Sequence, residues 1–124
     1  MLTLYWYPKC SSCKNAKKWL EAQDKEVIFV DMIKEVPSKE QLEKWIRESG
    51  LPFRRFFNTS GQKYRALGLK DKIDGYTLKE ACQVLSTDGM LIKRPILVKD
   101  NHFLAIGFNE NDYEGVFTSW KSNV

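Results

Sequence analysis

Two cysteines separated by two serines are the residues of this sequence best suited to chemistry. Cys10 and Cys13 form a C-x-x-C motif directly after a run of β-forming residues and directly before helical spacing begins. A sulfur at the start of a helix faces unpaired backbone N–H groups and the positive end of the helix dipole, and both favour the thiolate. The position and spacing therefore predict a redox-active thiol pair.

The two cysteines are expected to have different roles. Cys10 lies at the predicted junction of loop and helix, where it is exposed and able to attack, whereas Cys13 begins the apolar face of the helix. A less acidic, partly buried thiol one turn away suits a resolving cysteine that converts a mixed disulfide into an internal one. The neighbours counted as supporting residues are Lys9, Ser11, Ser12 and Lys14, and the two lysines add positive charge beside the motif.

The cysteines also allow other interpretations. A zinc site could combine Cys10 and Cys13 with Cys82 and His102, but no second ligand pair has zinc spacing, so we predict no metal. Cys82 lies on the apolar face of its own predicted helix and fits an ordinary core cysteine. His102 has the polar neighbours of a solvated turn residue. A purely structural role for Cys10 and Cys13 stays open at this point.

The elements that must position the motif can be predicted from periodicity and capping. Residues 2–7 are predicted to form a strand ended by Pro8, and the helix that follows places Cys13, Ala16 and Leu20 on one face. The other predicted elements are strands at 27–30, 96–98 and 103–106, capping boxes at Ser38/Gln41 and Thr77/Glu80, a short helix at 62–67, and a last helix from Asn109 through Trp120. This order predicts an α/β fold with a mixed sheet of about four strands and flanking helices.

Length and composition define the class of protein. A chain of 124 residues is expected to be one domain, 1–124, with a helical insert at approximately 34–88 between its β-α-β and β-β-α halves. The net charge of +4 is mild, so we predict neither a nucleic-acid surface nor a membrane partner. Three cysteines, with no signal peptide or membrane-spanning run, indicate a reducing cytoplasmic compartment. We expect a monomer.

Several tracts together resemble the ArsC/Spx family of thioredoxin-like proteins, which includes glutaredoxin-linked arsenate reductases and Spx regulators of RNA polymerase. The resemblance runs nearly end to end, and its most specific tracts are Phe56–Gly61, Tyr64–Leu69 and Asp88–Pro95. They are most similar to a subgroup of small bacterial arsenate reductase-like proteins. The resemblance implies a thioredoxin-like fold, with Cys10 as nucleophile and Arg94 as its oxyanion or thiolate partner. It also implies that Pro95, at the start of the third strand, is the cis proline beside the active cysteine.

The sequence departs from the arsenate reductases at four positions. The resemblance implies three arginines around the oxyanion, and here Arg94 is kept while Asn58 and Gly107 occupy the other two places. With Pro95, Asn58 is counted among the substrate-binding or supporting residues. Trp6 replaces the imidazole that those enzymes carry four residues before the nucleophile. Cys13, in contrast, is an added thiol. Because each oxyanion donor contributes about 2.7–4 kcal/mol, these changes predict inefficient arsenate reduction unless an arginine of the insert substitutes: Arg54, Arg55 or Arg65.

Two classes of function follow from the resemblance. The first is a thiol-disulfide oxidoreductase related to arsenate reductase, which takes a small oxyanion or disulfide and has no bound cofactor. An external thiol would reduce it: glutathione with glutaredoxin, or thioredoxin. The second is a redox-sensing regulator like Spx that binds the C-terminal domain of the RNA polymerase α subunit. The C-x-x-C motif, Arg94 and Gly107 agree with Spx, while the tracts at 56–58 and 88–90 differ from it.

Overall fold

The computed structural model describes residues 1–122, with side chains described through Phe117. Along the chain the strands and α-helices are β1 (Leu2–Trp6), α1 (Ser11–Ala22), β2 (Val27–Asp31), α2 (Lys39–Ser49), α3 (Gln62–Ala66), α4 (Leu78–Leu85), β3 (Ile96–Lys99), β4 (His102–Ile106) and α5 (Glu110–Ser122). Short 3-10 helices lie at Phe53–Phe56, Leu69–Asp71, Ile73–Gly75 and Gly89–Leu91. The predicted α/β order is confirmed.

The strands form one mixed sheet in the order β2-β1-β3-β4. β3 runs antiparallel to both of its neighbours, with Leu97 opposite Leu4 of β1 and Ala105 of β4. A bulge between Leu97 and Val98 shifts the register toward the turn into β4. That turn is made by Asp100 and Asn101, which both have positive φ, a conformation that Asp and Asn tolerate better than most residues.

The chain divides into two compact units. One consists of Met1–Val30 and the chain from Arg94 onward, and it contains the sheet with α1 and α5. Its core combines residues of β1, β3 and β4 with the apolar faces of the two helices: Leu2, Leu4, Leu97, Ala105, Ala16, Leu20, Tyr113 and Phe117. Trp19 of α1 stacks on Phe117 at 5.5 Å between ring centroids. This contact packs the last turn of α1 against α5.

The second unit is Asp31–Lys93, the helical part of the chain. Both predicted capping boxes are present, and they begin α2 at Ser38 and α4 at Thr77. The buried faces of these two helices contain Leu42, Trp45, Ile46, Ala81, Cys82 and Leu85. The helical insert predicted at approximately 34–88 falls within the bounds of this unit. That the whole chain, 1–124, is one domain stays a prediction.

The structure corrects three local predictions. β1 ends at Trp6 rather than Tyr7, because the carbonyl of Tyr7 accepts the amide N–H of Cys10 at 3.0 Å in the turn that contains Pro8. The short helix ends at Ala66, and Leu67 is its C-cap before Gly68 at φ +64°. His102 is the exposed first residue of β4 rather than a turn residue. None of the described helices has the length and apolar character needed to cross a membrane.

Candidate active site

Cys10 is the N-cap residue of α1. Its backbone is extended (φ −96°, ψ 122°), its carbonyl accepts the amide N–H of Lys14 at 3.0 Å, and its Sγ accepts the amide N–H of Cys13 at 3.4 Å. At many helix N-termini, the N-cap side chain that accepts the N–H of the third helical residue is a Ser or Asp oxygen. Here the sulfur of Cys10 takes that place. The fold therefore directs toward the sulfur an N–H that has no acceptor within the helix, as the motif predicted.

The environment of Cys10 lowers its pKa to about 5. The largest cause is a hydrogen bond from the Cys13 thiol, and the Cys13 amide N–H and the guanidinium of Arg94 act in the same direction. Partial burial of the sulfur opposes them. Because each of these donors favours the ionised form, Cys10 is a thiolate at neutral pH.

Cys13 has the opposite character. Its side chain is 0% exposed and lies on the buried face of α1 with Ala16 and Leu20. Its hydrogen bond to Cys10 and its burial raise the pKa of the Cys13 thiol well above its usual range. Neither cysteine is part of a disulfide in this structure. The pair therefore consists of a Cys10 thiolate that accepts a hydrogen bond from the neutral thiol of Cys13, one helical turn away.

Arg94 supplies the cation of the site. Its guanidinium lies over the ring of Tyr7, with Cζ 5.4 Å from the ring centroid, and its hydrogen bond and charge lower the pKa of Cys10. The Arg94–Pro95 peptide bond is cis, as the resemblance implied, and the Pro95 carbonyl accepts the amide N–H of Gly107 at 2.8 Å. The first unit therefore brings Cys10, Cys13 and Arg94 together.

Known proteins resemble this chain along most of its length. The model of the ArsC family matches residues 5–116. The chain belongs to the ArsC family. The protein YusI of Bacillus subtilis is 48% identical over 113 residues, which cover 91% of this chain and 95% of YusI.

Regulators and a solved structure are also similar. Regulatory protein MgsR of Bacillus subtilis is 33% identical, over 90% of this chain and 86% of its own. The global transcriptional regulator Spx of Lactiplantibacillus plantarum is 27% identical, over 90% and 83%. The crystal structure of a possible arsenate reductase from Streptococcus mutans superimposes with a TM-score of 0.87 at 46% identity, covering 92% of this chain and 98% of that one. The thioredoxin-like α/β fold that the resemblance implied is confirmed.

The supporting residues of the motif contribute less to this ArsC site than expected. Lys9, Ser11, Ser12 and Lys14 are all exposed. The groups that lower the pKa of Cys10 are Cys13 and Arg94 rather than the two lysines. The expected lysine effect is absent from these causes because exposed charges are screened by solvent.

The departures from the arsenate reductases have their own contacts. Asn58 belongs to the second unit, where its amide N–H donates to the carbonyl of Leu91 at 2.8 Å and its side chain to that of Met90 at 3.5 Å. Gly107 has φ +72°, a conformation that favours glycine over arginine. Trp6 packs edge-on against Phe29 at 5.7 Å. These contacts give Asn58, Gly107 and Trp6 structural roles.

The three insert arginines that were candidates to substitute for the missing ones lie in the second unit. Arg54 pairs with Asp74, and Arg65 donates to the carbonyl of Ser60 at 2.9 Å. Arg55 is exposed. Two of the three are therefore already engaged.

Two tyrosines near this site were missed at the sequence level. Tyr7 provides the ring under Arg94. Tyr113 is 0% exposed, donates its hydroxyl to the carbonyl of Gly107 at 3.0 Å, and has a pKa raised chiefly by burial. The only sequence signal for Tyr113 was its position on the last predicted helix.

Among the described residues, no three His, Cys, Asp or Glu side chains are grouped so that they could hold a metal ion, and Cys82 is buried in its own helix.

Proposed function

We propose that this ArsC-family protein is a thiol-disulfide oxidoreductase in which Cys10 is the nucleophile and Cys13 the resolving thiol. The observation that carries the proposal is the hydrogen-bonded pair itself, with the Cys10 pKa lowered to about 5 beside a buried neutral thiol. A low-pKa thiol paired with a second cysteine one turn away is the arrangement that dithiol exchange requires. Arg94 is the proposed partner of the thiolate.

The proposed reaction has two exchange steps. The Cys10 thiolate attacks one sulfur of a disulfide substrate, forms a mixed disulfide and releases the other sulfur as a thiolate. Cys13 then gives up its proton to the first leaving thiolate and attacks Cys10 Sγ, which releases the second substrate sulfur as a thiolate and forms the Cys10–Cys13 disulfide. The substrate gains two electrons and the protein loses two. An external thiol, supplied by glutaredoxin with glutathione or by thioredoxin, returns the protein to its dithiol state.

Arsenate is the oxyanion alternative within the same mechanism. Cys10 would form a sulfur–arsenic bond with loss of water, and attack by Cys13 on Cys10 Sγ would leave the electron pair on arsenic as arsenite. Arg94 is the one proposed oxyanion donor, since Asn58 and Gly107 replace the other two arginines implied by the resemblance. Removing two donors that each contribute about 2.7–4 kcal/mol favours the disulfide over arsenate.

The decisive experiment measures Cys10 reactivity and turnover together. The rate of iodoacetamide alkylation as a function of pH should give a midpoint near 5 for Cys10. Cys82 provides an internal control, since its burial and the charge of Glu43 raise its pKa to about 11. With glutathione disulfide or arsenate as substrate, oxidation of a thioredoxin system should require Cys10 and be lost in Cys10→Ser. A Cys10 midpoint at the value of free cysteine contradicts the proposal.

A second candidate function is a redox-sensing regulator that binds the C-terminal domain of the RNA polymerase α subunit. The observation that favours it is the 33% identity to the regulatory protein MgsR across most of the chain. In this case the Cys10–Cys13 disulfide would act as a switch, and the protein would work in the cytoplasm with the polymerase. Pull-down with the purified α domain, using both the reduced and the oxidised protein, separates the two functions. Redox-dependent capture without turnover supports the regulator.

A further inference from the structure

A cavity of about 460 Å³ in the second unit has a strongly cationic lining. Four cationic side chains line it, Arg54, Arg55, Lys70 and Lys93, together with the aromatic residues Phe57 and Tyr64. None of these residues belongs to the Cys10 site, and the cavity lies wholly within Asp31–Lys93. Its volume is within the range of about 300–1,000 Å³ that is typical of small-molecule sites.

Most of this positive charge is not neutralised. Asp74 pairs with Arg54, but no described side chain forms an ion pair with Arg55, Lys70 or Lys93. The sequence from residue 53 to 74 carries six cationic side chains and two carboxylates. Clustered cations of this kind repel one another, so an anion bound among them lowers the electrostatic energy.

The backbone segments that carry these cations are joined to each other although they are far apart in sequence. Phe57 forms an isolated bridge with Ile92, and the amide N–H of Lys93 donates to the carbonyl of Phe56 at 2.9 Å. The ring of Phe57 lies edge-on to Tyr64 at 6.3 Å, and both side chains are at most 4% exposed. The backbone that presents Arg55 and Lys93 is therefore anchored before any ligand arrives, which lowers the cost of binding.

A second cavity of the same unit provides a comparison. It also measures about 460 Å³, but Glu40 and Glu43 accompany Lys39 and Lys79 in its lining. A cavity of this size in this unit therefore need not have a cationic lining. The charge is specific to the cavity beside Phe57.

We propose that the cavity lined by Arg54, Arg55, Lys70 and Lys93 binds a small ligand carrying two adjacent phosphate groups. Guanidinium groups bind phosphate oxygens bidentately and lysines add point charges. Arg55 with Lys70 and Lys93, beside an Arg54 that Asp74 already pairs, therefore matches a diphosphate better than a single carboxylate. The proposal goes beyond the oxidoreductase function and does not depend on it.

Isothermal titration of the full chain with inorganic pyrophosphate tests the proposal. We expect saturable binding that weakens as the salt concentration rises. Arg55→Gln with Lys70→Gln should lower the affinity at least about tenfold, because two charge-assisted contacts are lost. Lys39→Gln with Lys79→Gln removes the same charge at the comparison cavity and should change the affinity by less than about twofold.

Further titrations identify where and why pyrophosphate binds. Cys10→Ser should bind pyrophosphate as the wild type does, which separates this cavity from the thiol site. Citrate, a polycarboxylate of similar charge, should bind at least about tenfold more weakly. No saturation by about 10 mM pyrophosphate, equal losses in the two double variants, or tighter binding of citrate would each overturn the proposal. Circular dichroism of both double variants confirms that they are folded.

Discussion

The amide N–H of Cys13 donates to Sγ of Cys10 across 3.4 Å, and the Cys13 thiol donates to the same sulfur. One residue thus supplies two hydrogen bonds to the thiolate, one from its backbone and one from its side chain. The same contact raises the pKa of Cys13 while it lowers that of Cys10. The two cysteines are therefore differentiated by a single interaction within one helical turn.

Replacing Cys13 should raise the pKa of Cys10. Cys13→Ala removes the side-chain donor that contributes most, whereas Cys13→Ser keeps a hydroxyl in its place. We expect the alkylation midpoint of Cys10 to rise by at least about one pH unit in the alanine variant and by less in the serine variant. Iodoacetamide kinetics followed by mass spectrometry provide the measurement. If the two variants have the same midpoint as the wild type, the thiol donor is not what lowers the pKa.

The covalent intermediate gives an independent prediction for the same residue. With Cys13→Ser the mixed disulfide between Cys10 and a small thiol has no internal attacker, so it should accumulate in intact-mass spectra after treatment with glutathione disulfide. The wild type should instead lose two hydrogens and carry no adduct. Full turnover by Cys13→Ser with a monothiol reductant would show that Cys13 is not needed for resolution.

Arg94 should act on Cys10 through its charge and its hydrogen bond. Arg94→Gln removes both, and Arg94→Lys keeps a positive charge but loses the planar guanidinium with its several N–H donors. We expect the Cys10 midpoint to rise by about half a unit to one unit in the glutamine variant, with a smaller rise in the lysine variant. Lys14→Gln, which removes a charge from the exposed face of α1, is the matched control and should leave the midpoint unchanged. An equal shift in Lys14→Gln would mean that general charge, rather than Arg94, sets the pKa.

The lowered Cys10 pKa should make stability depend on pH. The folded pKa of about 5 lies below the usual value of about 8.5, so between them the unfolded chain binds the proton that the folded one lacks. The contribution of Cys10 is complete above about pH 8.5 and is lost as the pH falls toward 5. In urea unfolding, the stability of the wild type relative to Cys10→Ser should therefore rise with pH across this window. The slope should be below about 1.4 kcal/mol per pH unit because the sulfur is partly exposed. A flat difference would contradict the shift.

Local chemistry made part of this structure predictable from sequence. The capping boxes at Ser38/Gln41 and Thr77/Glu80 and the place of Cys10 before α1 depend on residues three or four apart, and all are present. The burial of Cys82 followed from the apolar periodicity of its helix. These features need no knowledge of the tertiary fold.

Features that depend on distant segments could not be predicted from residue spacing. The contact of Arg94 with Tyr7 and Cys10 joins the two separate chain segments that form the first unit, and only the family resemblance pointed to Arg94. The cationic cavity likewise joins Arg55 to Lys93 through the bridge between Phe57 and Ile92. Neither pairing leaves a signal in local periodicity. The role of Cys13 as the main donor was missed for a different reason, since periodicity predicts burial but not the direction of an S–H bond.

The Tyr113 hydroxyl should stabilise the first unit. It donates to the carbonyl of Gly107 at 3.0 Å in a fully buried position, so Tyr113→Phe leaves that carbonyl without this donor. We expect the free energy of unfolding to fall by about 1–3 kcal/mol. Tyr76→Phe, at a half-buried position of the second unit, is the control and should change it by less than about 0.5 kcal/mol. Chemical denaturation measures both. A Tyr113→Phe effect as small as that of Tyr76→Phe would show that the hydrogen bond contributes little.

Gly89 should be intolerant of a side chain for a steric reason. A Cβ at this position would lie 2.4 Å from the carbonyl oxygen of Met32, and neither backbone segment can rotate away as a flexible side chain could. Gly89→Ala should therefore destabilise the second unit by about 1–3 kcal/mol, as overpacking of a close-packed interior does. Gly75→Ala, where nothing lies within 4 Å of the added Cβ, is the matched control and should leave the stability unchanged or slightly raise it by restricting the unfolded chain. Thermal unfolding of both variants provides the measurement, and equal melting temperatures would contradict the close approach of Gly89 to Met32.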